Sequence, residues 1–457
     1  MKRARGTSFQ RCGAFMLLAT GSACAAQDRR VVTEPHIPHA CITLHAALAL
    51  ANGRLKGGDE SKLDTARIQR ALDGCPHGFA VELAPKAARS GFLIGPIRIP
   101  AGVTLLVDRD VTLMASRDSR LYDQRPGSCG VVNEEPPGCK AIITLAHAPH
   151  AAIMGDGTID GRGEEKLLHG DASWWELAEQ ARAGGRQQVP RLIEADESDD
   201  FTVYRITLRN SPNFHIMFRD GHGFTAWNLK IDTPSTARNT DGVDPASATD
   251  ITVTHSFIRT GDDNVAIKGG EGGVGYMTVS DNHFFSGHGM SVGSETFGGV
   301  HDILVQALSL DGSDNGIRIK SNSSRGGLVE RVTYRDVCMR DVKWPIVLDT
   351  HYDNPGPQSN RYPVYRDIRL GDVRVFGGGH ISLQGLDPQH RLSVTLDGVV
   401  LDDPKLYKFS SAHAAVAYGP GPVNFLLQGE DVTSSGIPGN GTLASCDTMF
   451  VSFGAHE

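Results

Sequence analysis

The chain has 457 residues, 40% hydrophobic and 21% charged, a balance that excludes both a disordered and a membrane-embedded protein. Its formal charge of −8 gives no general attraction for nucleic acid or an anionic membrane. A polyanionic ligand would therefore need a local basic cluster.

The first residues read as a targeting segment. Lys2, Arg3, Arg5 and Arg11 precede a short apolar run, Cys12 to Thr20, and Ala23-Cys24-Ala25 supplies the small residues of a signal-peptidase site. Residues 1–26 are expected to be a signal peptide and the protein secreted, because the apolar run falls far short of the ~20 residues that span a bilayer. Taking those four charges from 45 Lys+Arg leaves 41 against 53 Asp+Glu, so the exported chain is still more acidic. Six cysteines remain after residue 26: Cys41, Cys75, Cys129, Cys139, Cys338 and Cys446. An even number in an exported chain points to disulfides, and six leave fifteen connectivities open. No CxxC pair suggests a metal, and none is expected.

Asp64 to Leu72 reads as a short helix with Asp64 as N-cap and Ile68 and Leu72 one turn apart, suited to cover the first coil of a repeat. Further on, apolar residues recur at offsets 0, 2, 5 and 7. Phe201, Val203, Ile206 and Leu208 show the pattern; Phe224, Ala226, Leu229 and Ile231 repeat it, as do the sets beginning at Ile303, Val332, Ile368 and Val394. Weaker copies begin at Ile251 and Met277, and Ala152, Met154, Gly157 and Ile159 look like an earlier one. Offsets of two mean a strand with one buried face, and the shift to five marks a bend into a second short strand. Steps of about 23 to 36 residues without intervening helices fit stacked coils, and are too short for propeller blades. The expectation is an all-β, single-stranded right-handed parallel β-helix forming one domain over 27–457, with a C-terminal tail from about residue 402.

Four polar stretches interrupt the pattern: Asn239-Thr240-Asp241-Gly242, Gly261-Asp262-Asp263-Asn264, Gly287-His288-Gly289 and Arg318-Ile319-Lys320. Their key residues lie about one coil apart, which predicts neighbouring rungs roughly 4.8 Å apart on one face. Carboxylates that close cannot ionise with equal ease, so one can hold a proton while others hold a water, the division that glycoside hydrolysis uses. Arg318 and Lys320, two apart on a strand, supply the local basic cluster that an anionic sugar would need.

In this order the four motifs resemble those of the polygalacturonases of glycoside hydrolase family 28. The likeness extends through residues 173–178, 213–218, 223–227, 233–245, 261–268, 287–295 and 315–321, closest to secreted endo-polygalacturonases of plant-pathogenic bacteria. It implies inverting hydrolysis of α-1,4 bonds in polygalacturonate, with Asp262 as general acid and Asp241 and Asp263 activating water. His288 would tune the acid. Arg318 and Lys320 would bind the substrate carboxylate, Tyr352 would line a subsite, and Asn239 and Lys268 are expected among the substrate-binding residues. The resemblance also implies disulfides Cys41–Cys75 and Cys129–Cys139, no cofactor, and pectin as partner of a monomer that binds neither nucleic acid nor membrane. An exo-acting enzyme or a rhamnogalacturonan hydrolase are the alternatives. Cys338 and Cys446 have no counterpart in the family; since Cys338 lies between inward-facing neighbours it should point outward, where the folded-back tail can bring Cys446 to it.

Overall fold

The apolar offsets resolve into three parallel sheets that wind around one core. In the computed structural model, residues 27–55, 57–353 and 360–455 are described; the expected signal peptide and the middle of the loop after Tyr352 lie outside the described residues. The chain is a right-handed parallel β-helix. Offsets 0 and 2 fall on the first sheet, which includes Thr202–Tyr204, His222–Trp227 and Thr249–Thr254. Offsets 5 and 7 fall on the second, with Thr207–Arg209, Lys230–Asp232 and Phe257–Thr260. A third sheet, which the repeat did not reveal, carries Ile216–Arg219, Val243–Ala246, Val265–Ile267, Met290–Val292, Asn315–Lys320 and Trp344–Asp349.

Register is strict. Phe224, Ile251, Met277, Ile303, Val332, Ile368 and Val394 pair in succession down the first sheet. All are essentially inaccessible to solvent and belong to one continuous core, where Phe201 stacks on Phe224 at 5.4 Å and Phe218 on Phe224 at 5.0 Å. The bend between offsets 2 and 5 has a backbone cause. At offset 4, Arg205, Asn228, His255, Asp281, Ala307, Asp336, Asp372 and Gly398 all have φ between 49° and 82°. One left-handed residue turns the chain from the first sheet into the second, and Asp, Asn, His and Gly tolerate that conformation better than branched residues do.

The structure corrects three expectations. In the early copy, Ala151 and Ile153 face the core while Ala152 and Met154 form a separate outer cluster with Tyr204. Thr202 pairs with Ala152, so the assumed phase was one residue out, and a one-residue slip exchanges the faces of a strand. Residues Gly155 to Gly157 lengthen that bend and disguise the phase. The helix runs Thr65–Gly74, but Asp64 makes no side-chain cap; its carboxylate accepts instead from Arg67 Nε at 3.0 Å. Ile68 and Leu72 are buried, and Gln69 exchanges hydrogen bonds with both backbone groups of Arg98. Finally, coils continue past residue 402: Tyr407–Tyr418 pairs with Gly379–Gln384 and Leu392–Leu401, and Glu430–Ser435 adds a last strand.

Beyond that strand the chain crosses the outer side of the second sheet. Cys446 is bonded to Cys338, Arg374 donates to the carbonyl of Ala444 at 2.6 Å, and Arg259 lies over the Phe453 ring at 4.2 Å. Cys41–Cys75 and Cys129–Cys139 are also bonded, as the resemblance implied.

The corner rule is open to test. Asp281→Val should cost about 1–2 kcal/mol in denaturant unfolding, since a branched residue resists positive φ, whereas Asp281→Gly should cost clearly less. Equal losses would mean that the backbone conformation there is not what Asp281 provides.

Candidate active site

The third sheet positions the polar motifs. Val243, Val265, Met290, Ile317 and Ile346 stand in register, one per coil. Two residues before each lies a corner position, and these are Asp241, Asp263, His288, Asn315 and Trp344. Asp262 therefore precedes the row by one residue and Arg318 follows its rung by one, which the even spacing of the motifs had concealed. The glycines around His288 are required: Gly287 and Gly289 have φ of 71° and 72°, and a Cβ at Gly289 would come within 2.2 Å of the Asn315 carbonyl. Asn264, fully buried, ties this turn down by accepting from Gly289 N at 2.9 Å and donating to the Ile258 carbonyl at 3.0 Å.

Asp262 and Asp263 meet different partners. Nδ1 of His288 lies 2.9 Å from Asp262 Oδ1, which also accepts from the backbone N–H of Asp263 at 2.9 Å; Asn239 Nδ2 approaches Oδ2 at 3.3 Å. Asp262 keeps some exposure. Asp263 is 1% exposed and accepts from Ser291 Oγ at 2.6 Å, Lys320 Nζ at 2.8 Å and Arg318 Nη1 at 3.3 Å. The ring of Tyr352 lies 5.1 Å from both cationic groups, Arg318 and Lys320. Thus Asp262, Asp263, His288, Arg318, Lys320 and Tyr352 come together, and His288, Arg318, Lys320 and Tyr352 line one open cavity of about 460 Å³.

Asp241 is buried, and its Oδ1 has no hydrogen-bond partner among the described residues. Burial, with the charges of Asp244 and Asp262 nearby, holds its carboxyl well above the usual range. Asp244, wholly buried, is pushed up to about 6 by burial against the opposing pull of Lys268. Burial also pushes Asp262 up, but the hydrogen bond and charge of His288, then the charge of Lys320, outweigh it and bring the carboxyl below its usual range. Four carboxyl groups thus share the space with three permanent cations, Lys268, Arg318 and Lys320. Low dielectric disfavours the surplus negative charge, so in the free protein a proton is held preferentially on the Asp241–Asp244 side.

Lys268, expected among the substrate-binding residues, is half-buried and turned toward two carboxyl groups. Its ammonium pairs with Asp244 at 3.0 Å and lies 3.7 Å from Asp241. Asn239 likewise sits between Asp262 and Gln187, whose Nε2 donates to it at 3.0 Å. Gln187 belongs to the strand Arg186–Gln188, which pairs antiparallel with Val131–Asn133 outside the coils. Asp244, Ser291 and Gln187 were missed because none falls in the four polar motifs, although Asp244 and Ser291 lie in the stretches of likeness and Ser291 shares a rung with Arg318. Ligand atoms of Asp262, Asp263 and His288 all approach within 4.8 Å of one another, but Asp263 is already met by two cations, an arrangement that opposes a metal.

Residues 84–417 match the profile of Glycosyl hydrolases family 28. The chain belongs to this family. As a family 28 member it is a glycosidase, and it is 42% identical to an endo-polygalacturonase of Pectobacterium parmentieri over 85% of this chain and 93% of that protein. A polygalacturonase of Ralstonia nicotianae is 36% identical over 92% of both chains. The solved polygalacturonase of Erwinia carotovora ssp. carotovora superposes with a TM-score of 0.80, at 42% identity, covering 85% of this chain and all of that one.

Lys268→Met should destabilise this family 28 enzyme by about 3–5 kcal/mol, because it strands the buried Asp244 carboxylate. Equilibrium unfolding measures this, and adding Asp244→Asn should recover much of the loss. A fully stable single variant with only weakened substrate binding would instead make Lys268 a ligand contact.

Proposed function

We infer that the protein is a secreted endo-polygalacturonase that hydrolyses α-1,4-galacturonosyl bonds of de-esterified pectin with inversion. The observation that carries this reading is the cationic pair Arg318 and Lys320, backed by Tyr352, directly beside the Asp262 and Asp263 carboxyl groups. An acidic protein has here concentrated positive charge at an open cavity, which suits a sugar carrying a carboxylate. The relatives' activity and the motif order support the same substrate. The basic leader and the three disulfides support export, since such bonds persist in oxidising surroundings.

In this mechanism Asp262 protonates the glycosidic oxygen as the bond to the anomeric carbon breaks. A water held between Asp263 and Asp241 attacks that carbon from the opposite side and passes its proton to Asp241. Asp263 suits fixing the water, because three donors lock it in place. Asp241 suits accepting the proton once the proton held on its side in the free site has passed to Asp262, because a carboxyl held high takes a proton readily and its Oδ1 has no partner among the described residues. The low position of Asp262 in the free protein is then a feature of the empty clamp. A galacturonate carboxylate against Lys320 offsets the cation that favours ionised Asp262, so substrate draws a proton onto the acid.

Two measurements test this reading. On polygalacturonate, viscosity should fall well ahead of reducing-end release, with saturated products; release of monomer from the outset would make the enzyme exo-acting, and unsaturated products would end the hydrolase reading. The alkaline limb of kcat should lie at higher pH than that of kcat/KM, because the first reports the substrate complex and the second the free enzyme. Lys320→Ala should bring the two limbs together. Coincident limbs in the parent enzyme would contradict substrate-driven protonation of Asp262.

A further inference from the structure

His215 lies outside the polar motifs, on the strand side of the loop that carries Asn239 and Asp241. It is completely buried. Its backbone N–H donates to the carbonyl of Asp241 at 2.8 Å, and its Nδ1 lies 2.9 Å from the same oxygen. A carbonyl can only accept, so Nδ1 carries the hydrogen and the imidazole is the neutral Nδ1–H tautomer. Nε2 is then an acceptor, and it receives the hydroxyl of Thr233 at 2.8 Å. Thr233 opens the loop of residues 233–242 and Asp241 closes it. One ring therefore spans both ends of the segment that presents Asp241.

We propose that His215 is a positioning residue for the reaction: it pins the Asp241 main chain, and through it the carboxyl that takes the proton of the attacking water.

Three further observations fit. Asp241 Oδ1 has no hydrogen-bond partner among the described residues, so contacts at that atom do not fix its position. Lys268 faces its other oxygen from 3.7 Å, beyond a strong hydrogen bond. The backbone must therefore supply much of the placement, and the Asp241 carbonyl is where two donors converge. Burial also pushes the imidazole down to about 4, so the ring stays neutral, and keeps both hydrogen bonds, across the mildly acidic range. A buried histidine that only filled space would not need both nitrogens matched to the two ends of one loop.

This inference rests on the reading of Asp241 as the water-activating carboxyl, and the experiment separates the two. His215→Asn places an amide N–H where Nδ1 stands and keeps the donor to Asp241, losing Thr233. His215→Gln reaches the Nε2 position and does the reverse. Both remove one hydrogen bond from the same buried site, so their stabilities should be similar. With polygalacturonate as substrate, His215→Asn should keep kcat within about threefold of the parent, and His215→Gln should lose roughly 10- to 100-fold in kcat with KM within about twofold. Equal kcat in the two variants, or a parallel rise in KM, would overturn the positioning role. Asp241→Asn, assayed alongside, controls the premise: if it stays active the assignment of Asp241 fails, whereas an inactive Asp241→Asn with indistinguishable His215 variants refutes the staple alone.

Discussion

Hydrogen bonding between successive coils is the constraint from which the site follows. Each turn of chain must return its third strand to the rung above, so residues 22 to 29 positions apart become neighbours at roughly 4.8 Å. Nothing else brings Asp241, Asp263, His288 and Asn315 into one row. The core enforces that spacing, because a slip of one residue would turn the buried set of Val243, Val265, Met290 and Ile317 outward. Coil length can still vary, since extra residues are taken up in loops between sheets without disturbing the rungs.

Stacking like residues at that spacing creates an electrostatic problem, and the surroundings of the site are arranged around it. Four carboxyl groups lie close together at low exposure. Lys268 answers Asp244 and Asp241 from one side, while Lys320 and Arg318 answer Asp263 from the other. The count remains one cation short, so the resting site favours keeping a proton, and the position of that proton is open to influence by whatever enters. In the proposed mechanism a substrate that brings its own carboxylate is not just held by Arg318 and Lys320. It alters the charge balance that decides which aspartate is the acid, so recognition and protonation become one event.

Much of this was legible in the sequence, for identifiable reasons. The first and second sheets announced themselves because offsets 0, 2, 5 and 7 leave a buried stripe that tolerates little variation. The third sheet did not: its inward pairs, such as Val265 and Ile267 or Ile317 and Ile319, are apolar, but loops of varying length separate them from the first two sheets, so they keep no fixed offset. Sequence spacing brought the motifs to one face but did not show that Asp263, and not Asp262, stands in the row with Asp241 and His288. Nor did it show that Lys268 pairs with Asp244 and Asp241, because that pairing is made across coils. The parts played by His215 and Ser291 were hidden for the same reason: both lie in stretches of likeness, but each meets its partner 26 or 28 positions away through hydrogen bonds that leave no local pattern.

The proposed mechanism requires a water that attacks from the face opposite Asp262. Proton NMR of the first products released from polygalacturonate, recorded before mutarotation, reports this directly. Newly formed reducing ends should be in the β configuration, inverted from the α linkage. If they appear first as α, water does not attack from the opposite face, and Asp241 and Asp263 cannot be the pair that holds it.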